Sequence, residues 1–175
     1  MIFAAIVMMA GFTTTVVAQT STTNAGAQLI VPMTLTQNSP LHFGTITLLD
    51  ASGGTVILST ANERAFTGGV STTAVSPTST NATYDVTGTY NETYALTLPE
   101  TITVTETVGS TATMDITALT VLFNEGIEET TGVGATSLLS TTGTDDFIVG
   151  GTLTIAAAQI GGIYAGTFDV SVDYN

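Results

Sequence analysis

The sequence predicts an all-β protein, an antiparallel two-sheet sandwich, and three observations predict it. Apolar residues recur at every second position in one run after another, which is the period of a half-buried strand. The runs are short and are separated by turns bearing Gly, Asn or Pro. Thr is the commonest residue, followed by Ala, Gly and Val, and few stretches carry helix formers at helical spacing. A chain of 175 residues makes one domain with enough length for a hydrophobic core.

The N-terminus sets an expectation of export. Met1 to Ala10 is an uninterrupted apolar run of signal-peptide length, too short to span a bilayer. Val16-Val17-Ala18 then places small and β-branched residues before Gln19, as a signal peptidase prefers. Residues 1–18 are therefore expected to be a cleaved secretory signal, with no stable membrane span afterwards. No Lys or Arg precedes the apolar run, which is most simply explained by a true start further upstream. Residues 19–26 are small and polar and read as a flexible leader, and residues 27–175 as the single β-sandwich domain.

The strands follow in order. From Ala25 to Leu35, the apolar residues Leu29, Val31, Met33 and Leu35 alternate with polar ones, except at Ile30 and Pro32. Proline has no N–H to give a ladder, so this strand belongs on an edge or is bent there. Asn38-Ser39-Pro40 is a turn, and Leu41 to Leu49 is the next strand. Gly53-Gly54 fits a hairpin that returns through Thr55 to Ser59. Phe66 to Val70 is a short strand kinked at Gly68-Gly69, and Ser71 to Asn81 a polar loop. Ala82 to Gly88 and Thr93 to Leu98 are strands, the second ended by Pro99. The strand through Ile102 and Val104 stops where Glu106 breaks the apolar side. Between Thr113 and Asn124 the alternation shifts phase near Ala118, which predicts a β-bulge. Glu125 to Asp146 reads as a long surface loop or a weak hairpin, Phe147 to Ala156 as a strand, and Ala156 to Ile160 as one helical turn.

The last stretch is the most regular. After Gly161-Gly162, the residues Tyr164, Phe168, Val170, Val172 and Tyr174 point one way and Ala165, Thr167, Asp169, Ser171 and Asp173 the other. A strand this regular needs a neighbour on each edge, or one edge stays open.

Charge excludes several classes of function. Fourteen Asp and Glu face one Arg and no Lys, for a net charge of −13. Such a surface repels nucleic acid and anionic headgroups. There is no Cys, so neither a disulfide nor a thiolate metal site exists. No enzyme and no cofactor are expected. His42, the one imidazole, sits in a Leu-His-Phe strand and reads as a hydrogen-bonded strand residue, not a triad member. Arg64 is expected to pair with a neighbouring carboxylate. The Gly pairs lie at strand ends and open no helix, so no phosphate loop is present. Glu128-Glu129 and Asp145-Asp146 flank the long loop at a spacing that fits no calcium loop, and read as solvated acids. Asn81 and Asn91 each begin a glycosylation sequon and read as turn residues.

The set Leu41-His42-Phe43-Gly44-Thr45-Ile46, Gly54-Thr55-Val56, Thr67-Gly68-Gly69-Val70, Thr97-Leu98-Pro99, Val149 to Thr154 and Gly166 to Asn175, in that order, resembles the bacterial secreted family known as domain of unknown function 4402. The resemblance runs from about Ala27 to Asn175. The ends of the chain also resemble chaperone–usher pilin subunits, including the spore coat protein U type. His42-Phe43-Gly44 and Tyr174-Asn175 stand at the matching places, although the Cys pair of many pilins is missing and Pro32 falls inside the N-terminal extension. That resemblance implies an immunoglobulin-like, pilin-like sandwich lacking its last strand, filled by the N-terminal extension of the next subunit. Leu29, Val31, Met33 and Leu35 would be the donated strand, and Tyr164, Phe168, Val170, Val172 and Tyr174 the acceptor. The implied partners are copies of the chain or related surface subunits, with a periplasmic chaperone, at the cell surface or outside the cell. The alternative is a self-contained surface domain that binds a glycan or a protein through its loops. The two differ in whether the Ala25–Leu35 strand leaves its own domain or pairs within it.

Overall fold

The computed structural model describes residues 18–72, 75–124, 126, 128–130 and 133–175. Among these there is no helix, every strand pairing is antiparallel, and the core lies between one large sheet and two small ones. The predicted signal lies, up to residue 17, outside the described residues.

Fourteen strands form in chain order. They are β1 (Thr34–Ser39), β2 (Ile46–Leu48), β3 (Gly54–Leu58), β4 (Arg64–Gly68), β5 (Val70–Thr72), β6 (Ala82–Thr87) and β7 (Thr93–Thr97), then β8 (Ile102–Glu106), β9 (Thr113–Phe123), β10 (Glu128–Thr130), β11 (Val133–Leu138), β12 (Thr144–Ile155), β13 (Tyr164–Ala165) and β14 (Ser171–Tyr174). The nine-stranded sheet runs β1-β6-β12-β9-β8-β13, with β3 and β4 beside the far half of β12 and β10 beside β9. The second layer is β11-β7-β14, and a separate pair is β2-β5.

The alternation read from the sequence is what turns side chains inward. Val56 and Leu58, Tyr84 and Val86, Tyr94 and Leu96, and Phe147 and Val149 are all buried in one cluster. Tyr84 stacks on Phe147 at 5.0 Å, and Phe123 stands edge-on to Phe147 and Tyr94. Such pairs add to the plain burial of aromatic area. The one buried carboxylate in this region, Asp145, accepts from Tyr94 Oη and Ser137 Oγ, both at 2.7 Å, and from the backbone N–H of Asp146. Burial, and then the Asp145 contact, holds the Tyr94 hydroxyl protonated far above the ordinary phenol range.

The bulge near Ala118 is present. The β9–β12 register slips between Gly150 and Thr152, and Ala118 has φ 47°. The kink at Gly68-Gly69 is also present, and it separates β4 from β5.

Several expectations are corrected by pairings that alternation cannot encode. The final strand is two strands: β13 pairs with β8 at the edge of the large sheet, and β14 pairs with β7 in the second layer. Between them the chain changes layers at Gly166, where a Cβ would lie 2.6 Å from the Thr103 carbonyl oxygen. The N-terminal strand begins at Thr34 instead of Ala25, two residues past Pro32, and pairs with β6, so it is an edge strand within its own domain. The Gly53-Gly54 turn does not pair its flanking strands; β2 goes to β5, and β3 to β4 and β12. The stretch from Leu41 to Leu49 keeps only Ile46–Leu48 as a strand, because Gly44 takes φ 76° and bends it. The region from Glu125 to Asp146 is split between layers, β10 on β9 and β11 on β7. Ala156 to Ile160 is a turn closed by Gln159 N–H on the Ala156 carbonyl, not a helix.

Candidate strand-accepting groove

Two runs of chain border an opening in the second layer. One descends from Met33 through β1 and Leu41 to β2, and the other ascends from Tyr164 to Tyr174. Registers fix the direction. Thr34 and Thr144 both oppose Thr87 at the upper end, and Gly54 opposes Ile155 at the lower end. Tyr164 opposes Glu106 near that lower end, and Tyr174 opposes Tyr94 beside the upper turn.

Neither small sheet is closed. Among the described residues β14 ends its sheet with one edge unpaired, and β2 pairs on one side only. The apolar side chains on both runs are correspondingly half-exposed. Met33, Leu35, Leu41 and Ile46 on one side, and Phe168, Val170, Val172 and Tyr174 on the other, pack against the core without being fully covered. At the lower end the opening deepens into a cavity of about 470 Å³, walled by Leu41, Ile46, Val104, Met114, Ile155 and Tyr164 among others. At the upper end the two runs meet at Gly88, where a Cβ would lie 2.5 Å from Tyr174 Oη and 3.3 Å from the Met33 side chain.

The predicted strand quartet is divided by this geometry. Met33 and Leu35 pack at home, whereas Leu29 is 89 % exposed and Val31 50 %. Residues 18–33 form no strand. Val31 is instead fastened through both backbone groups. Its N–H donates to Thr89 Oγ1 at 2.8 Å, and its carbonyl accepts from Tyr174 Oη at 2.7 Å. Tyr174 Oη in turn accepts from the Thr89 N–H at 2.6 Å. Gln28 also donates to the Glu92 carboxylate. The segment is therefore tied to its own body at the upper turn, beside the last residue of β14. The predicted acceptor residues are divided too, with Tyr164 in β13, Val172 and Tyr174 in β14, and Phe168 and Val170 in the crossing between them. Thr89, Val104 and Met114 were not singled out by sequence, because their place at the groove depends on which strands meet.

The segment has one further property. No Asp, Glu, Lys or Arg occurs before Asp50, so all fourteen acidic residues lie in the rest of the chain.

The residues weighed for chemistry fall elsewhere. His42 Nδ1 accepts from the Gly44 N–H at 2.8 Å, and its backbone bridges Thr80, as a strand residue does. Arg64 meets no carboxylate among the described residues. It donates to the carbonyls of Phe43 and Thr45 at 3.0 and 3.2 Å and to Thr72 Oγ1, and it lies 5.5 Å over the Phe66 ring. The bend at Gly44 turns those carbonyls toward it, and they take the place of an acidic partner. Asn81 is a buried residue, not a turn, donating to the carbonyls of Ser59 and Val149. Asn91 does sit in a turn, at φ 56°. The side chains of Glu128 and Glu129 lie outside the described residues, and no metal-holding group of three or more His, Asp or Glu occurs among those described. No helix among them is long and apolar enough to cross a membrane.

The family model described as Domain of unknown function (DUF4402) matches residues 33–174, which takes in every strand and leaves the exposed segment outside. No curated protein matches the chain.

Proposed function

The chain belongs to the DUF4402 family, and from the geometry of this member we propose that it is a secreted structural subunit that joins other copies of itself by lending them a β-strand. One observation carries the reading. Among the described residues β14 has an unpaired edge lined by half-exposed apolar side chains, while residues 27–31 of the same chain are exposed, uncharged, apolar at every position but Gln28, and in no ladder. Strand addition to an open edge joins proteins through main-chain hydrogen bonds, with alternate side chains filling pockets. In this reading the two layers are an immunoglobulin-like sandwich one strand short, and Leu29 and Val31 of a neighbour complete it beside Val170 and Val172, the donor's Val31 exchanging its own bonds to Thr89 and Tyr174 for the neighbour's edge.

Charge favours a second copy as the occupant. The folded bodies, at net −13, repel one another, but the segment before Asp50 is uncharged and enters an acidic neighbour's groove without that repulsion. An open apolar edge is also a template for aggregation. A chaperone that covers it before assembly fits this need, as does export to the cell surface after cleavage before Gln19. The role is structural and calls for no catalytic residue.

The test is the sedimentation of the secreted full chain with and without residues 27–31. Loss of assembly with an unchanged melting curve is the expected result. Assembly that survives the deletion refutes the reading.

A further inference from the structure

Exposed apolar side chains gather at the two ends of this molecule. At the upper end, Tyr90 is 64 % exposed, and Leu138 stands beside it across the turn, where Asn91 N–H bonds the Leu139 carbonyl. This is also where Val31 is fastened to Thr89 and Tyr174, so the outgoing segment starts from this surface. At the lower end, Leu48, Leu49, Val108, Ile160 and Ile163 are exposed around the mouth of the cavity, with Ile163 at 69 %. Val108 belongs to this ring because the Thr107 N–H donates to the Ile163 carbonyl at 2.8 Å. Apart from the outgoing segment, only Ile57 and Val75 of the large exposed apolar residues among those described lie outside these two sets. Apolar residues clustered in this way on an acidic protein mark contact surfaces, whereas isolated ones do not.

We infer that the lower apolar ring of one subunit seats the Tyr90–Leu138 tip of the subunit that donates its strand, forming a second interface between the same two copies. This rests on the strand-donation reading above. The donated segment is about five residues long and is joined to its own body at Met33, so the donor's tip must lie within a few residues of one end of the acceptor's groove. At the acceptor's upper end that tip would meet the acceptor's own outgoing segment where it leaves the body at Met33, beside Gly88 and Tyr174. At the lower end it meets the apolar ring and the cavity mouth. The donated strand therefore descends antiparallel to β14, and successive bodies stack end to end. Tyr90 supplies an aromatic anchor of the kind that dominates interface energies, and the cavity mouth supplies a recess for it.

Because the chain has no Cys, the contact is directly testable by cross-linking in the full secreted protein. Chains carrying Tyr90→Cys and chains carrying Ile163→Cys, mixed before assembly and oxidised, should give mixed disulfide-linked pairs several-fold above either variant alone. Adding Leu29→Asp to both should abolish them. Ile163→Ser, at a position too exposed to affect folding, should raise the concentration needed for assembly by about tenfold. If assemblies form but cross-links appear only within one variant, or not at all, the end-to-end contact is wrong while strand donation stands. If a chain lacking residues 27–31 still assembles and cross-links, strand donation is wrong and the ends alone hold the copies. If the full chain stays monomeric at every concentration, both are overturned.

Discussion

Replacing Leu29 by Asp separates folding from assembly. In the free subunit this side chain is 89 % exposed and touches no part of the core, so Leu29→Asp should leave the fold intact. Surface changes of this kind stay within about 0.5 kcal/mol. In the proposed assembly the same residue enters an apolar groove. Losing the burial of a Leu side chain removes about 1.5–3 kcal/mol. Placing a polar group there without a partner costs about 1–3 kcal/mol more on the scale of protein mutations, and a carboxylate costs more than a neutral group. The two together weaken assembly by about a hundredfold to ten-thousandfold. Sedimentation velocity over a concentration series reads the assembly, and thermal melting of the dilute monomer reads the fold. Wild-type assembly in the variant would refute the groove as the destination of Leu29. A monomer melting several degrees lower would show that Leu29 packs within its own domain, and would refute the argument from the other side.

Other expectations concern the body of the domain. Asp146 lies opposite Asp85 across β12 and β6, and its carboxyl is pushed above the usual range by burial, then by the charges of Asp145 and Asp85. Its folded pKa is raised, so its contribution is fully favourable below the unfolded value and is lost as pH rises through the folded one. Asp146→Asn should therefore raise the melting temperature at pH 7 and change it little near pH 3, and an equal shift at both would contradict the assignment. Arg64→Ala removes the donors that hold the Phe43 and Thr45 carbonyls and should cost about 1–3 kcal/mol in urea unfolding, with Arg64→Lys recovering only part because one ammonium cannot span three acceptors. Asn81→Ala strips the buried carbonyls of Ser59 and Val149 of a shared donor and should cost about 1–3 kcal/mol by the same measurement.

Alternation is a local property, and what it controls was legible. It told which side chains of Tyr84, Val86, Tyr94, Leu96, Phe147 and Val149 face inward, and it placed the phase shift at Ala118, because a slip of one residue sends a whole strand's apolar set to the other face. The first strand does lie at an edge, one of the two outcomes that Pro32 left open, although Pro32 itself stands two residues before it. The absence of Cys and of any helical period required no structure to read.

What alternation cannot carry is the identity of the neighbour across a ladder. Residues 164–174 look like one strand because their side chains keep phase throughout, yet the backbone leaves β8 for β7 partway along, following β7 and β8 as they themselves change layers. Arg64 looked destined for a carboxylate, since sequence counts charges but does not aim carbonyls, and the bend at Gly44 aimed two at it. The groove has the same origin. Its apolar residues come from elements more than a hundred positions apart, and among the described residues β14 and β2 each leave one edge of their sheets unpaired beside them. Sequence alone determined that this chain makes strands and which face of each is apolar. Tertiary structure decided which edges were left unpaired, because pairing depends on contacts distant in sequence that no local period records.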